Sequence, residues 1–167
     1  AEGIKVAILN PSTIIGPGNW KEGSPALFRR INEGLNYYTN GSNGFVAIDD
    51  VAALAIKLIN PKIVNERFIA NGDNLSFKEL FTLIAQSINV KAPSKGAKKW
   101  QGKWVLFFDQ IRARLINNRA VLTKDSLEAA YSKKEFSNQK SIEILNHSYK
   151  NVATAISETG LIFLRNH

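Results

Sequence analysis

Residues 4–18, Ile4-Lys5-Val6-Ala7-Ile8-Leu9-Asn10-Pro11-Ser12-Thr13-Ile14-Ile15-Gly16-Pro17-Gly18, decide how this chain is read. The run from Ile4 to Leu9 is apolar with little polar alternation. That pattern suits a strand covered on both faces, as in a parallel sheet, and periodicity alone leaves a buried helix turn open. Pro11 then removes a backbone donor, and Gly16-Pro17-Gly18 forces a loop. A buried strand therefore empties into a stiff loop, and in open α/β sheets ligands sit in the crevice beyond the carboxyl ends of the strands. A strand of this kind needs neighbours, and the chain offers few candidates. The expectation is the second half of something larger.

Working outward, Ser24-Pro25 reads as a helix start running to about Leu35, with Leu27, Phe28, Ile31 and Leu35 on one face. Tyr37 to Asn43 reads as a short strand or extended piece turning at Gly41, and Phe45-Val46-Ala47-Ile48 as a short strand. Asp49-Asp50 would cap a helix from Val51 to Asn60 that Pro61 stops. Glu66 to Asn71 is a strand ended by Gly72-Asp73-Asn74. Ser76-Phe77-Lys78-Glu79 is a capping box that opens the next helix. Strand and helix alternate in this order, which favours α/β with a largely parallel sheet. Beyond Lys91 the expected helices are Trp100 to Ile116, Thr123 to Tyr131, Asn138 to Leu145, and Tyr149 to Thr159 closed by Gly160.

Composition narrows the chemistry. At 167 residues and 44% hydrophobic content, the chain can form one domain or part of a larger one. It contains no run of ~18 uncharged apolar residues of the kind that spans a membrane. Cys is absent, which excludes disulfides and thiolate catalysis, and a cytoplasmic location is expected. Only His147 and His167 could offer imidazole, so no metal site is expected. No nucleophile–base motif, phosphate loop or G-x-G-x-x-G occurs. What remains is one wall of a ligand site. Pro11 to Ile14 would present backbone polar groups suited to a carboxamide, and Ser24 could share a helix N-terminus with a phosphate. A tight turn and an ordinary helix cap explain the same residues.

Three segments carry a resemblance. Asn10-Pro11-Ser12-Thr13-Ile14-Ile15-Gly16-Pro17-Gly18 resembles the Arg/Asn-Pro-x-x-x-x-Gly-Pro segment of the extended short-chain dehydrogenase/reductases. These are the NAD-dependent epimerase/dehydratase proteins, including their dihydroflavonol-reductase-like branch. Phe45 to Ala52 is similar to their aromatic-Val-x-Val-x-Asp-Val-Ala signature. Arg67 to Gly72, followed by Leu75 to Leu80, resembles their last core strand and the helix behind it. The three fall in family order over about residues 1–90.

The resemblance implies an α/β fold, the C-terminal part of a Rossmann-type parallel sheet followed by a mostly helical substrate-binding cap. Residues 1–76 would supply the last strands and helices of the dinucleotide-binding sheet, and 77–167 the cap. It implies NAD or NADP, bound only with the N-terminal half, near Pro11, Ser12, Ile14 and Ser24. Trp20, Phe28, Tyr38 and Phe45 would line the substrate side, although Phe28 also fits a helix-face core position. A small-molecule substrate of the nucleotide-sugar type and a homodimer are compatible with it. No catalytic residue is assigned, because the family's glycine-rich loop and Tyr-x-x-x-Lys are not in this sequence. Tyr131 is followed four places on by Glu135, Tyr149 by Ala153 and Tyr37 by Gly41. The chain is therefore expected to be inactive alone.

A rival reading comes from charge. Between Lys91 and Lys124 stand nine basic residues and one acid, Asp109, an excess equal to the whole chain's formal charge of +8. Trp100, Trp104, Phe107 and Phe108 sit among them. A non-catalytic basic module binding nucleic acid or another anionic partner would use such a mixture. Helical spacing of Trp104, Phe107, Phe108, Ile111 and Leu115 favours a buried helix face instead.

Overall fold

The computed structural model describes residues 4–60, 62–98, 100 and 124–166. Two sheets carry the architecture. In the first, β1 (Ala7–Pro11) lies parallel to β5 (Glu66–Ala70), with Leu9 opposite Phe68. In the second, β4 (Ser42–Ala47) is central, parallel to β2 (Thr13–Ile15) and antiparallel to β6 (Asp73–Ser76). A two-residue pair, β3 (Tyr37–Tyr38) with β7 (Lys95–Gly96), completes the strands among the described residues.

Helices cover these sheets: α1 (Ala26–Asn32), α2 (Ile48–Leu58), α3 (Phe77–Ser87), α4 (Lys124–Tyr131), α5 (Gln139–Leu145) and α6 (Val152–Arg165). The expected helix from Trp100 to Ile116 falls almost wholly on residues outside the described ones.

The apolar run Phe45-Val46-Ala47 is explained by burial of both faces of β4. Successive strand side chains point to opposite sides. Phe45 and Ala47 enter one core with Ile15, Phe28, Leu80, Ile84, Ile156 and Phe163. Val46 enters the other with Leu54, Phe68, Ala70 and Leu145. The first core draws on residues from both sides of position 76. β1 is treated differently. Leu9 joins the second core, yet Val6 just before the strand and Ile8 within it are 47% and 38% exposed.

Several boundaries differ from the sequence reading, each for a local reason. The helix expected from Ser24 starts at Ala26 and lacks a side-chain cap, because the Ser24 hydroxyl donates to the Ile14 carbonyl instead. Asp49 and Asp50 do not cap α2, which begins before them at Ile48, so both lie inside its first turn. The strand from Glu66 does end before Gly72-Asp73-Asn74, as expected, but Asp73 goes on to start an antiparallel strand. The capping box is present as read: Ser76 Oγ accepts from Glu79 N, and the Glu79 carboxylate accepts from Ser76 N. Those bonds hold the Glu79 carboxyl below its ordinary range.

Gly160 does not close the last helix, and α6 runs through it to Arg165. Its missing side chain is what lets α6 meet α3. A Cβ there would lie 2.3 Å from Ser87 Oγ and 3.0 Å from the Ser87 carbonyl oxygen. In an open helix Gly→Ala gains about 1 kcal/mol. Here overpacking of about 1–3 kcal/mol should outweigh it. Gly160→Ala is expected to lower the melting temperature, and a rise would show that the two helices are not packed this closely.

Candidate functional site

The two sheets part company at one level of the molecule. β1 ends at Pro11, and Ser12 carries the chain across into β2. Asn71 and Gly72 make the same crossing between β5 and β6. Backbone bonds hold the junction, from Ser12 N to the Ala70 carbonyl (2.9 Å) and from Gly72 N to the Phe45 carbonyl (2.8 Å). A cleft of about 430 Å³ opens there, beyond the carboxyl end of β1. Asn10, Pro11, Ser12 and Thr13 form one wall. Asn43, Lys134 and Phe136 stand on the others.

The wall is built by hydrogen bonds. Asn43 Nδ2 donates to Thr13 Oγ1 at 3.0 Å. The segment after α4 is clamped by asparagines. Asn71 Nδ2 and Asn74 Nδ2 both donate to the Phe136 carbonyl, at 3.2 and 3.0 Å, and Phe136 N donates to Asn74 Oδ1 at 3.0 Å. Asn138 Nδ2 donates to the Asn71 carbonyl at 2.7 Å. Gly44 permits this approach, since a Cβ there would lie 2.2 Å from Asn71 Oδ1 and 2.7 Å from the Phe136 ring.

Among the described residues two buried polar atoms remain without a partner, Ser12 Oγ and Asn71 Oδ1. An unsatisfied buried group costs about 1–3 kcal/mol. Such groups are rare enough in native proteins that a ligand or water is the usual explanation. Both lie at the sheet junction against Gly44.

Of the residues singled out from sequence, Pro11 and Ser12 line this cleft. Ile14 packs against the second core. Ser24 is half-buried and engaged with the Ile14 carbonyl. Trp20 packs edge-on against Phe28 and Phe163, with ring centres 6.1 and 5.1 Å away. Phe28 and Phe45 are buried in the first core. Tyr38 is half-buried, with the Lys78 ammonium 5.6 Å from its ring centre. Those four aromatics are not among the described residues lining the cleft. Asn43, Asn71, Lys134 and Phe136 are site residues that the sequence reading missed. Asn71-Gly72 at a strand end was a usable signal, whereas Lys134 reaches the site only through tertiary structure.

A second polar cluster holds the C-terminal segment to α2. Asp50 Oδ1 meets His147 Nε2 at 3.0 Å, and Asp50 Oδ2 accepts from Lys150 N at 3.0 Å. The Lys150 ammonium pairs with Asp49 and Glu158, which raises its pKa well above the ordinary lysine value. Lys57 Nζ donates to the carbonyls of Leu145 and Asn146, closing the end of α5. These contacts are structural. Among the described residues no group of side chains could hold a metal ion, and no helix is long and apolar enough to cross a membrane.

No protein-family model and no curated protein matches the chain. Solved structures do. The chain is similar to gox2253, with 23% identity and a TM-score of 0.72 over 96% of this chain and 49% of that one. It is similar to a nucleoside-diphosphate-sugar epimerase from Pseudomonas aeruginosa, with 16% identity and a TM-score of 0.73 over 98% and 49%. It is also similar to the UDP-glucuronic acid 4-epimerase of Bacillus cereus, solved in complex with UDP-glucuronic acid and NAD, with 12% identity and a TM-score of 0.65 over 96% and 46%. The fold is thus that of the Rossmann-like C-terminal part of epimerase/dehydratase structures. The chain spans about half the length of the structures it matches.

Proposed function

We propose that this chain is the substrate-binding half of an NAD(P)-dependent nucleotide-sugar epimerase/dehydratase or carbonyl reductase, and that it is inactive alone. Residues 1–76 would form the cofactor-side sheet and 77–167 the substrate cap. The observation that carries the reading is β1. Its only strand partner among the described residues is β5, so one edge is open, and Val6 and Ile8 leave one side apolar and bare. An open, apolar edge of this kind asks for another strand. Half-length similarity to NAD-containing epimerases supports the same view.

The cleft fits the nicotinamide end of such a cofactor. Ser12 offers an unpartnered hydroxyl, able to donate and accept, beside the rigid Pro11, and a carboxamide needs both. Ile14 and Ser24 would hold the loop in place, Ser24 through its bond to the Ile14 carbonyl. When bound, the nicotinamide would supply hydride transfer, while these residues bind and orient it. The phosphate end is not provided for, since no glycine-rich loop occurs in the sequence. Nor is there a Tyr-x-x-x-Lys to move the proton.

The test is direct. Purified chain should show no saturable NAD or NADP binding by calorimetry, and no change in reduced-cofactor absorbance with nucleotide sugars. Amides on the open edge of β1 should exchange with solvent faster than those of β4. Stoichiometric cofactor binding with turnover would overturn the proposal.

A further inference from the structure

Lys134 has a position that the cofactor does not account for. It is the one ionisable residue among the described residues lining the cleft, and no carboxylate shares that lining. Its neighbour Glu135 is exposed and outside the lining. Lys140 pairs with Glu66, and Lys150 with Asp49 and Glu158; Lys133, like Lys134, is exposed but lies outside the lining. The ammonium of Lys134 makes no hydrogen bond or ion pair with a described residue. Its backbone is nevertheless held firmly. Lys134 N donates to the Ser42 carbonyl at 3.1 Å, and two residues on Phe136 is gripped by Asn71 and Asn74. A lone cation is thus mounted on a fixed segment, facing a cleft whose other polar groups are neutral and among which the Ser12 hydroxyl is without a partner and free to donate.

We propose that this cleft receives an anionic group of the ligand, a carboxylate or a phosphoryl group, with Lys134 as its counter-ion and as the residue that selects for negative charge. The proposal deepens the substrate-half reading and rests on it for the word substrate, but the binding itself requires neither cofactor nor a second polypeptide. An ammonium is a point charge that accepts either anion without a fixed fork. Asn43 and Thr13, bonded to each other across the wall, are near enough to the cleft to report its occupation.

The whole chain, labelled with nitrogen-15, should be titrated at constant ionic strength with inorganic phosphate, acetate and UDP. Amide shifts of Thr13, Asn43 and Phe136 should saturate with at least one of them. Comparing phosphate and UDP with acetate separates the phosphoryl from the carboxylate source. In Lys134→Gln the dissociation constant should rise about tenfold, and in Lys62→Gln, at an exposed position away from the cleft, it should not change. An unchanged constant in Lys134→Gln, shifts scattered over the surface, or no saturation with any anion would overturn the proposal. Cofactor binding by the unaided chain would sink the half-enzyme reading and leave this one standing.

Discussion

Truncating Phe163 to alanine is expected to remove about 3–5 kcal/mol of unfolding free energy, the usual cost of deleting a buried phenylalanine side chain. Phe163 is 1% exposed and lies on α6, with Trp20 edge-on at 5.1 Å and Phe28 tilted at 6.3 Å. It therefore ties the last helix to both the loop after β2 and α1. Nothing smaller can fill that space, because the neighbouring rings are held by Ile31, Ile84 and Ile156 in the same core. Domains are stable by about 5–15 kcal/mol, so the loss is a large share of the total. For a chain of this size it corresponds to a fall in melting temperature of about 6–20 °C. Leu161→Ala on the same helix, 54% exposed, should stay within about 0.5 kcal/mol. Urea unfolding followed by circular dichroism distinguishes the two. Equal midpoints for both variants would mean that α6 is not seated on this core.

The contrast between Phe163 and Leu161 depends on tertiary packing, which only part of the sequence encodes locally. Elements whose signal is local were legible. Ser76 and Glu79 announce their helix by reciprocal bonds within four residues, and the apolar run at Phe45 follows from burial of both faces of one strand. Elements whose signal is tertiary were not. Gly160 looks like a stop because glycine favours helix ends, yet its use is to admit Ser87 of α3. Ser24 looks like a cap, yet its hydroxyl has a better acceptor ten residues back. Asp73 sits in a turn-like triplet, and only pairing with Phe45 makes it a strand residue.

The site divides the same way. Pro11 and Ser12 were visible because proline and a following small polar residue end a strand in a characteristic manner. Lys134 and Phe136 come to them across more than a hundred positions, brought by asparagine bonds that no periodicity encodes. Phe28 and Phe45 show the converse. An aromatic residue near a ligand loop can be read as lining or as core, and here packing puts both in the core.

Replacing Asp50 with alanine should cost about 1–3 kcal/mol, because it leaves a buried polar group without its hydrogen-bond partner. Asp50 and His147 are 6% and 8% exposed. Asp50 Oδ1 and His147 Nε2 share a buried hydrogen bond of 3.0 Å. The second carboxylate oxygen takes the Lys150 backbone N–H. Alanine would leave the His147 ring nitrogen buried without this partner and would take the acceptor from the half-buried Lys150 N–H; Tyr149 meets the His147 ring edge-on at 4.7 Å. Asp49 provides the control next door. Its side chain is 68% exposed and its bond to Lys150 is a surface ion pair, so Asp49→Ala should cost about 0–1 kcal/mol. Asp50→Asn keeps one acceptor and should fall between the two. A double-mutant cycle joining Asp50→Ala to His147→Ala should return a coupling of about 0.5–3 kcal/mol, measured from urea midpoints at a constant m-value. If Asp49 and Asp50 cost the same, or the cycle closes without coupling, the C-terminal segment must be held by Lys57 and the apolar core alone.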